Sequence, residues 1–326
     1  MWDNAVTSNT KRIYELGFDT YKNFLILYNV GFVDDVPPVS QDLLIYFVAY
    51  CQQMLKIKYS TIRLYLCGIR FMFLEKGIPN PFESKCYSLD RLRTIMNGVK
   101  KAQSNCTSRI RLPITFDILQ QICVLLRQNA FDKYNNVLLE AMYTTAFFGF
   151  FRCGELTVQT HFQPNCHITC NDVKVVGNGV NILVKNSKTD VFHKGVYITL
   201  YKNDTDICPF QSLSKYMGMR SYQTADPEEP FFVDDNGKPI TRAYFIDYLK
   251  ITLDRLGYDS SKYNGHSFRI GAATSAASAR MEDHLIKTLG RWSSNCYTRY
   301  IRTPESLIQD AQNSLSGASN CNMSLS

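Results

Sequence analysis

Between residues 168 and 201 the chain carries three short runs rich in β-branched side chains: Ile168–Val175, Val180–Val184 and Gly195–Tyr201. Gly177-Asn178-Gly179 parts the first two, and Ser187-Lys188-Thr189-Asp190 lies between the second and third. That spacing predicts a three-stranded antiparallel meander with a polar turn at its second corner. The rest of the chain repeats its apolar residues at helical period. A lone small sheet set among helices predicts a mainly α protein with a small antiparallel sheet, of the α+β class.

In the first hundred residues Ser8-Asn9-Thr10 is a helix start, followed by Ile13, Leu16, Phe18, Tyr21, Phe24 and Leu25. Pro37-Pro38 breaks the chain, Ser40 opens a second helix, and Ser60-Thr61 opens a third that Gly77 and Pro79 close. A fourth helix is expected over Leu89–Lys100. The polar stretch Gln103–Ser108 then predicts a linker, giving a helical domain over 1–108, a second domain over 109–312 and a mobile Ser- and Asn-rich tail over 313–326. Beyond the linker, helices are expected over Phe116–Gln128, Lys133–Phe151, Pro209–Met219, Arg242–Leu256, His266–Ala279, Glu282–Leu289 and around Cys296–Ile301.

With 326 residues, 45% hydrophobic and 20% charged, the chain can bury two ordinary cores and is not of disordered composition. Its apolar runs are too short or too interrupted to span a bilayer, and its start lacks the pattern of a secretory signal. A membrane or secreted protein is therefore not expected. Eleven cysteines without paired spacing read as reduced thiols of a cytosolic or nuclear protein. The net charge of +7 permits nucleic-acid binding without establishing it.

Four segments carry candidate chemistry: Phe151-Arg152-Cys153-Gly154-Glu155-Leu156, Asn186-Ser187-Lys188-Thr189, Gly265-His266-Ser267-Phe268-Arg269, and Leu289-Gly290-Arg291-Trp292-Ser293-Ser294 with Tyr300-Ile301-Arg302 after it. Two arginines suit a phosphodiester, because a guanidinium binds phosphate oxygens through two parallel donors and stays charged. His266 and Arg269 lie three apart, so a helix puts them on one face. Tyr297 and Tyr300 stand within a helical turn of each other.

In this order the four segments resemble the tyrosine recombinase (phage-integrase-like) superfamily, over about Ser8 to Asp310. The His266–Arg302 stretch is most similar to Cre-type members, which also carry tryptophan before the nucleophile, and to recombinases of eukaryotic Crypton and DIRS-type mobile elements. The resemblance implies a helical core-binding (SAM-like) DNA-binding domain and a catalytic domain that together form a C-shaped clamp. It makes Arg152 and Arg269 the phosphate-binding pair and His266 the general base and acid. The resemblance likewise implies that Lys188 protonates the leaving 5′-oxygen, that Trp292 donates its indole N–H to the phosphate, and that Glu155 buttresses the site. Tyr300, followed by Ile-Arg, fits the nucleophile better than Tyr297, although its spacing from Trp292 is about one residue short of the Cre pattern.

The function so implied is a site-specific recombinase or integrase of a mobile element, cutting and rejoining double-stranded DNA through a 3′-phosphotyrosyl intermediate without metal, ATP or other cofactor. A homotetramer on DNA is expected, with a monomer allowed for the free protein and the nucleus as its compartment if the source is eukaryotic (otherwise the cytoplasm). Arg63, Arg70, Arg91, Arg93, Lys100 and Lys101 are candidate DNA-backbone contacts. Thr303–Ala311 reads as a short apolar-striped helix able to dock on its own domain or on a neighbouring subunit. Two other readings share the residues: a topoisomerase IB-like DNA-relaxing enzyme, and an inactive domesticated DNA-binding protein. A zinc site at His161, Cys166, His167 and Cys170 and a calcium loop at Asp234–Gly237 are both outweighed by ordinary strand and turn readings.

Overall fold

The computed structural model describes all residues except 1, 3–4, 33–34, 84–88, 105–110, 187–193, 221–225, 304–307, 310 and 314–326. The chain divides into two compact units, Met1–Ser108 and Arg109–Ser326. Among the described residues no helix is long and apolar enough to cross a membrane.

The first unit contains α1 (Ser8–Leu27), α2 (Gln41–Gln53), α3 (Tyr59–Glu75) and α4 (Asp90–Ala102). Ser40 caps α2, its hydroxyl accepting the Leu43 N–H at 3.2 Å. Phe18, Tyr21, Phe24 and Leu25 of α1 bury against Leu44 and Phe47 of α2 and Ile62 and Ile69 of α3. The α1–α3 crossing is close because Gly17 faces the Tyr65 backbone, where an added Cβ would stand 2.6 Å from Tyr65 Cα. Arg63 and Arg70, seven apart on α3, are exposed on one helix face. On α4, Arg91 and Arg93 are exposed but paired at the surface with Asp42 and Asp90, and Lys100 and Lys101 close the helix.

The second unit contains α5 (Phe116–Arg127), α6 (Lys133–Phe148), α7 (Cys153–Leu156), β1 (Val173–Val176), β2 (Gly179–Val184), β3 (Val196–Tyr201), α8 (Pro209–Met219), α9 (Arg242–Arg255), α10 (Ser267–Ser278) and α11 (Asp283–Gly290). The strands pair antiparallel in the order β1-β2-β3, with Val175 opposite Val180 and Ile182 opposite Ile198. The architecture is thus mainly helical with one small antiparallel sheet. Helix α6 is buried almost all round, from Asn135 to Phe147, and packs against α5, α8 and α10.

Three boundaries differ from the periodicity. Strand β1 starts at Val173, not Ile168, because Thr169 and Asp172 cap a 3₁₀ turn whose Asp172 carboxylate is then paired with Lys185 at 2.5 Å. Helix α6 stops at Phe148, since Phe150 takes a left-handed φ of 49° and the Phe151 N–H bonds back to the Ala146 carbonyl. The segment expected to be helical around Cys296–Ile301 is a 3₁₀ turn over Asn295–Arg299. In the tail, Ile308, Gln309 and 311–313 are helical and exposed; the remainder of the stretch beyond Thr303 lies outside the described residues.

Candidate active site

The turn at Phe150 builds the site. It takes Arg152 out of the buried α6 and leaves it just ahead of α7, where its backbone N–H donates to Glu155 Oε2 at 2.9 Å and its guanidinium to Oε1 at 2.8 Å. The left-handed turn also turns the Phe150 carbonyl to accept from Arg269 and Arg291.

Helix α10 supplies the second side. His266 is its N-cap, so the pair with Arg269 begins at the helix start and not within it. Arg269 is fully buried and donates to the carbonyls of Phe150 and Gly290. Its guanidinium lies 4.4 Å from the centroid of the Trp292 ring and 5.9 Å from that of Tyr300. Trp292 and Tyr300 are themselves 5.3 Å apart. Residues separated by well over a hundred positions in the chain are thereby stacked into one cluster.

Two close approaches seat α10. Gly271 lies directly on the Ile114 backbone, and Gly265 lies on Cys153, the neighbour of Arg152. The Ile114 N–H donates to the Ser267 carbonyl at 2.9 Å, and the Phe116 N–H to the Ser275 hydroxyl at 3.1 Å. At the far end the Thr274 hydroxyl donates to the Tyr300 carbonyl at 3.3 Å and accepts from the Arg302 N–H at 3.1 Å. The backbone of the nucleophile candidate is therefore tied to the helix that carries Arg269.

Tyr297 and Tyr300 are now distinct. Tyr297 is buried (4% exposed), packs on Trp292 at 6.1 Å, and its hydroxyl faces the Asp283 carboxylate, which pushes its pKa up from the ordinary value. Tyr300 is half-buried over the arginine cluster. Lys188, and with it the whole of Ser187–Asp190, lies outside the described residues.

The electrostatics call for an anion. Arg152, Arg269 and Arg291 share one buried carboxylate, Glu155, whose side chain is 4% exposed. Burial, reinforced by Arg152 and Arg291, lowers the Arg269 pKa to about 9, so it stays charged at neutral pH. Burial and the cations of Arg111, Arg242, Arg269 and Arg152 push His266 below 6.5, which keeps it neutral. Among the described residues, Arg269 Nε, Arg291 Nε, one terminal Arg291 nitrogen and His266 Nδ1 are buried without a hydrogen-bond partner. Surplus positive charge with unspent donors fits a phosphate. Arg111, Arg242, Arg291 and Thr274 carried no assigned role in the sequence reading. Of these, only Arg291 stood inside a motif, and its partner Glu155 is 136 residues away.

Other candidates resolve as scaffold. Cys170 Sγ accepts from Arg220 at 3.1 Å, His167 folds back on Gln163, and no metal-binding group of His, Cys, Asp or Glu forms among the described residues. Asp234 accepts the N–H groups of Asn236 and Lys238, which makes Asp234–Gly237 a turn.

No family model matches the chain. A curated relative, the integrase/recombinase xerD homolog of Selenomonas ruminantium, is 25% identical over 198 residues, covering 57% of this chain and 52% of the relative. The chain thus spans about half the length of that protein. Among solved structures, XerH site-specific recombinase bound to palindromic difH aligns with a TM-score of 0.64 at 14% identity, over 94% of this chain and 79% of that one. The Tn1549 transposon integrase with transposon right-end DNA aligns at 0.56 and 15% identity, over 95% and 94%. A lambda integrase dimer bound to a COC′ core site aligns at 0.54 and 14%, over 91% and 73%. Fold and sequence match both liken the chain to these site-specific recombinases and integrases, in keeping with the resemblance carried by the motif order.

Proposed function

We propose that the protein is a DNA strand transferase, a site-specific recombinase or integrase of a mobile element. The observation that carries this reading is the gathering of Arg152, Arg269, His266, Trp292 and Tyr300 around one under-neutralised cluster. Tyr300 Oη attacks the scissile phosphorus, and the bond from phosphorus to the 5′-oxygen breaks. A 3′-phosphotyrosyl link and a free 5′-hydroxyl result. Neutral His266 takes the tyrosine proton, and Lys188 returns one to the leaving oxygen. Arg152 and Arg269 stabilise the charge on the non-bridging oxygens. Attack by the 5′-hydroxyl of a partner duplex reverses the step and conserves bond energy without ATP. Arg269 is fully buried with the Trp292 and Tyr300 rings beside it, so in this reading a phosphate reaches it when the Tyr300 segment swings away. The same swing frees the hydroxyl for attack.

The partner of this reading is double-stranded DNA, engaged on its backbone by Arg63, Arg70, Arg91, Arg93, Lys100 and Lys101. Exchange between two duplexes needs four active sites, hence a homotetramer on DNA. The nucleus is the working compartment if the source is eukaryotic, otherwise the cytoplasm. The intact residue set favours active chemistry over an inactive DNA-binding protein, and recombinant junctions as products separate exchange from simple relaxation.

Covalent trapping on a nicked duplex in excess EDTA tests the reading. A phosphotyrosyl adduct is expected, because guanidinium groups and Lys188 take over the charge-neutralising and leaving-group roles of a metal. Adduct formation only after magnesium is restored counts against it. A pH profile adds a second check. Protonation of His266 removes the base, so second-order cleavage falls as pH drops, with a midpoint below 6.5 in the free protein. A midpoint above 6.5 contradicts His266 as the base.

A further inference from the structure

Arg291 stands at the C-cap of α11 with a left-handed φ of 55°, a conformation in which glycine is the usual residue. An arginine held there has a reason in its contacts. Its guanidinium donates to Glu155 Oε2 at 2.8 Å and to the Phe150 carbonyl at 3.2 Å, and it lies 5.2 Å from the Phe151 ring centroid. All three partners belong to the 150–155 segment that carries Arg152.

Those partners are shared. Glu155 is the carboxylate that Arg152 grips with both its backbone and its guanidinium, and the Phe150 carbonyl is one of the two that Arg269 grips. Among the described residues Arg291 therefore binds an acceptor of each phosphate-binding arginine. It also precedes Trp292, whose ring covers Arg269. With its side chain 12% exposed, Arg291 is placed to act through these groups and not on DNA itself.

We propose that Arg291 is a positioning residue for DNA cleavage, setting the spacing of Arg152 and Arg269 through Glu155 and the Phe150 carbonyl while locking the Trp292 segment to them. The inference rests on the strand-transferase reading. Both bonds leave one terminal nitrogen, whose N–H directions the planar guanidinium fixes, whereas a lysine ammonium is a point charge with freely rotating donors.

Glycine is the informative replacement, because it fits the left-handed backbone and removes only the side chain. Arg291→Gly is expected to lower single-turnover adduct formation about 10- to 100-fold, the scale of a small misplacement of reacting groups. Duplex binding should stay within about threefold, because the outlying phosphate contacts are untouched. Arg291→Lys should lie between wild type and Arg291→Gly. In a double-mutant cycle, adding Arg291→Gly to Glu155→Gln should cost far less than it costs wild type, since the first loss already disconnects the second. Wild-type cleavage by Arg291→Gly, or losses that multiply in the cycle, overturns the inference while leaving the function intact. If Arg291→Gly fails to bind duplex, Arg291→Lys decides: reduced cleavage with normal binding supports the role, and normal cleavage overturns it. A wild-type protein that forms no adduct overturns the function and this inference with it.

Discussion

Tyr300→Phe abolishes the covalent protein–DNA adduct on a nicked duplex while binding is retained within about threefold, because only one hydroxyl is removed and the outlying phosphate contacts that dominate affinity remain. The ring still stacks on Trp292 and over Arg269, so the cluster keeps its shape. Tyr297→Phe is the matched control. Its hydroxyl serves Asp283, so losing it leaves adduct formation in place. Denaturing gels that retain labelled DNA on Tyr300→Phe, or lose it only on Tyr297→Phe, would reverse the assignment of the nucleophile.

Gly271→Ala melts the catalytic unit at a markedly lower temperature. In an exposed helix interior the same exchange gains about 1 kcal/mol. At Gly271 the new Cβ overlaps the Ile114 carbonyl, which is backbone and cannot step aside. The chain there is held by hydrogen bonds from Leu112 to the Lys262 carbonyl and from Ile114 to the Ser267 carbonyl, each at 2.9 Å. Displacing it costs about 2–3 kcal/mol net, a fall of about 5–10 °C for a unit of this size. Cleavage drops as well, because α10 carries Arg269 and seats His266. Gly98→Ala provides the contrast: nothing lies within 4 Å of its new Cβ, so α4 gains stability. A Gly271→Ala protein that melts with or above wild type refutes the close approach.

The motif order was enough to single out Arg152, Glu155, His266, Arg269 and Trp292 as candidates and to prefer Tyr300 to Tyr297. Local periodicity also placed α1 to α6 and the three strands, because apolar spacing reports which face an element buries. It erred where a single residue's backbone conformation decides. Nothing in Phe148-Gly149-Phe150-Phe151 announces that the left-handed residue is Phe150 and not Gly149, so the helix was carried three residues too far. Thr169 and Asp172 likewise cap a turn inside an apparently continuous β-branched run.

The sequence alone thus determined the element order and the chemical types, since both depend on neighbours within a turn or two. Which tyrosine stands over the arginines, and that a third arginine shares their carboxylate, was decided only by tertiary structure. Tyr297 and Tyr300 differ by whether Asp283 or Arg269 lies beside them, and Arg291 matters because Glu155 is brought across 136 residues to meet it. Electrostatic and packing contacts act through space over a few ångströms, and no local pattern in the chain encodes which distant residues the fold will bring within that range.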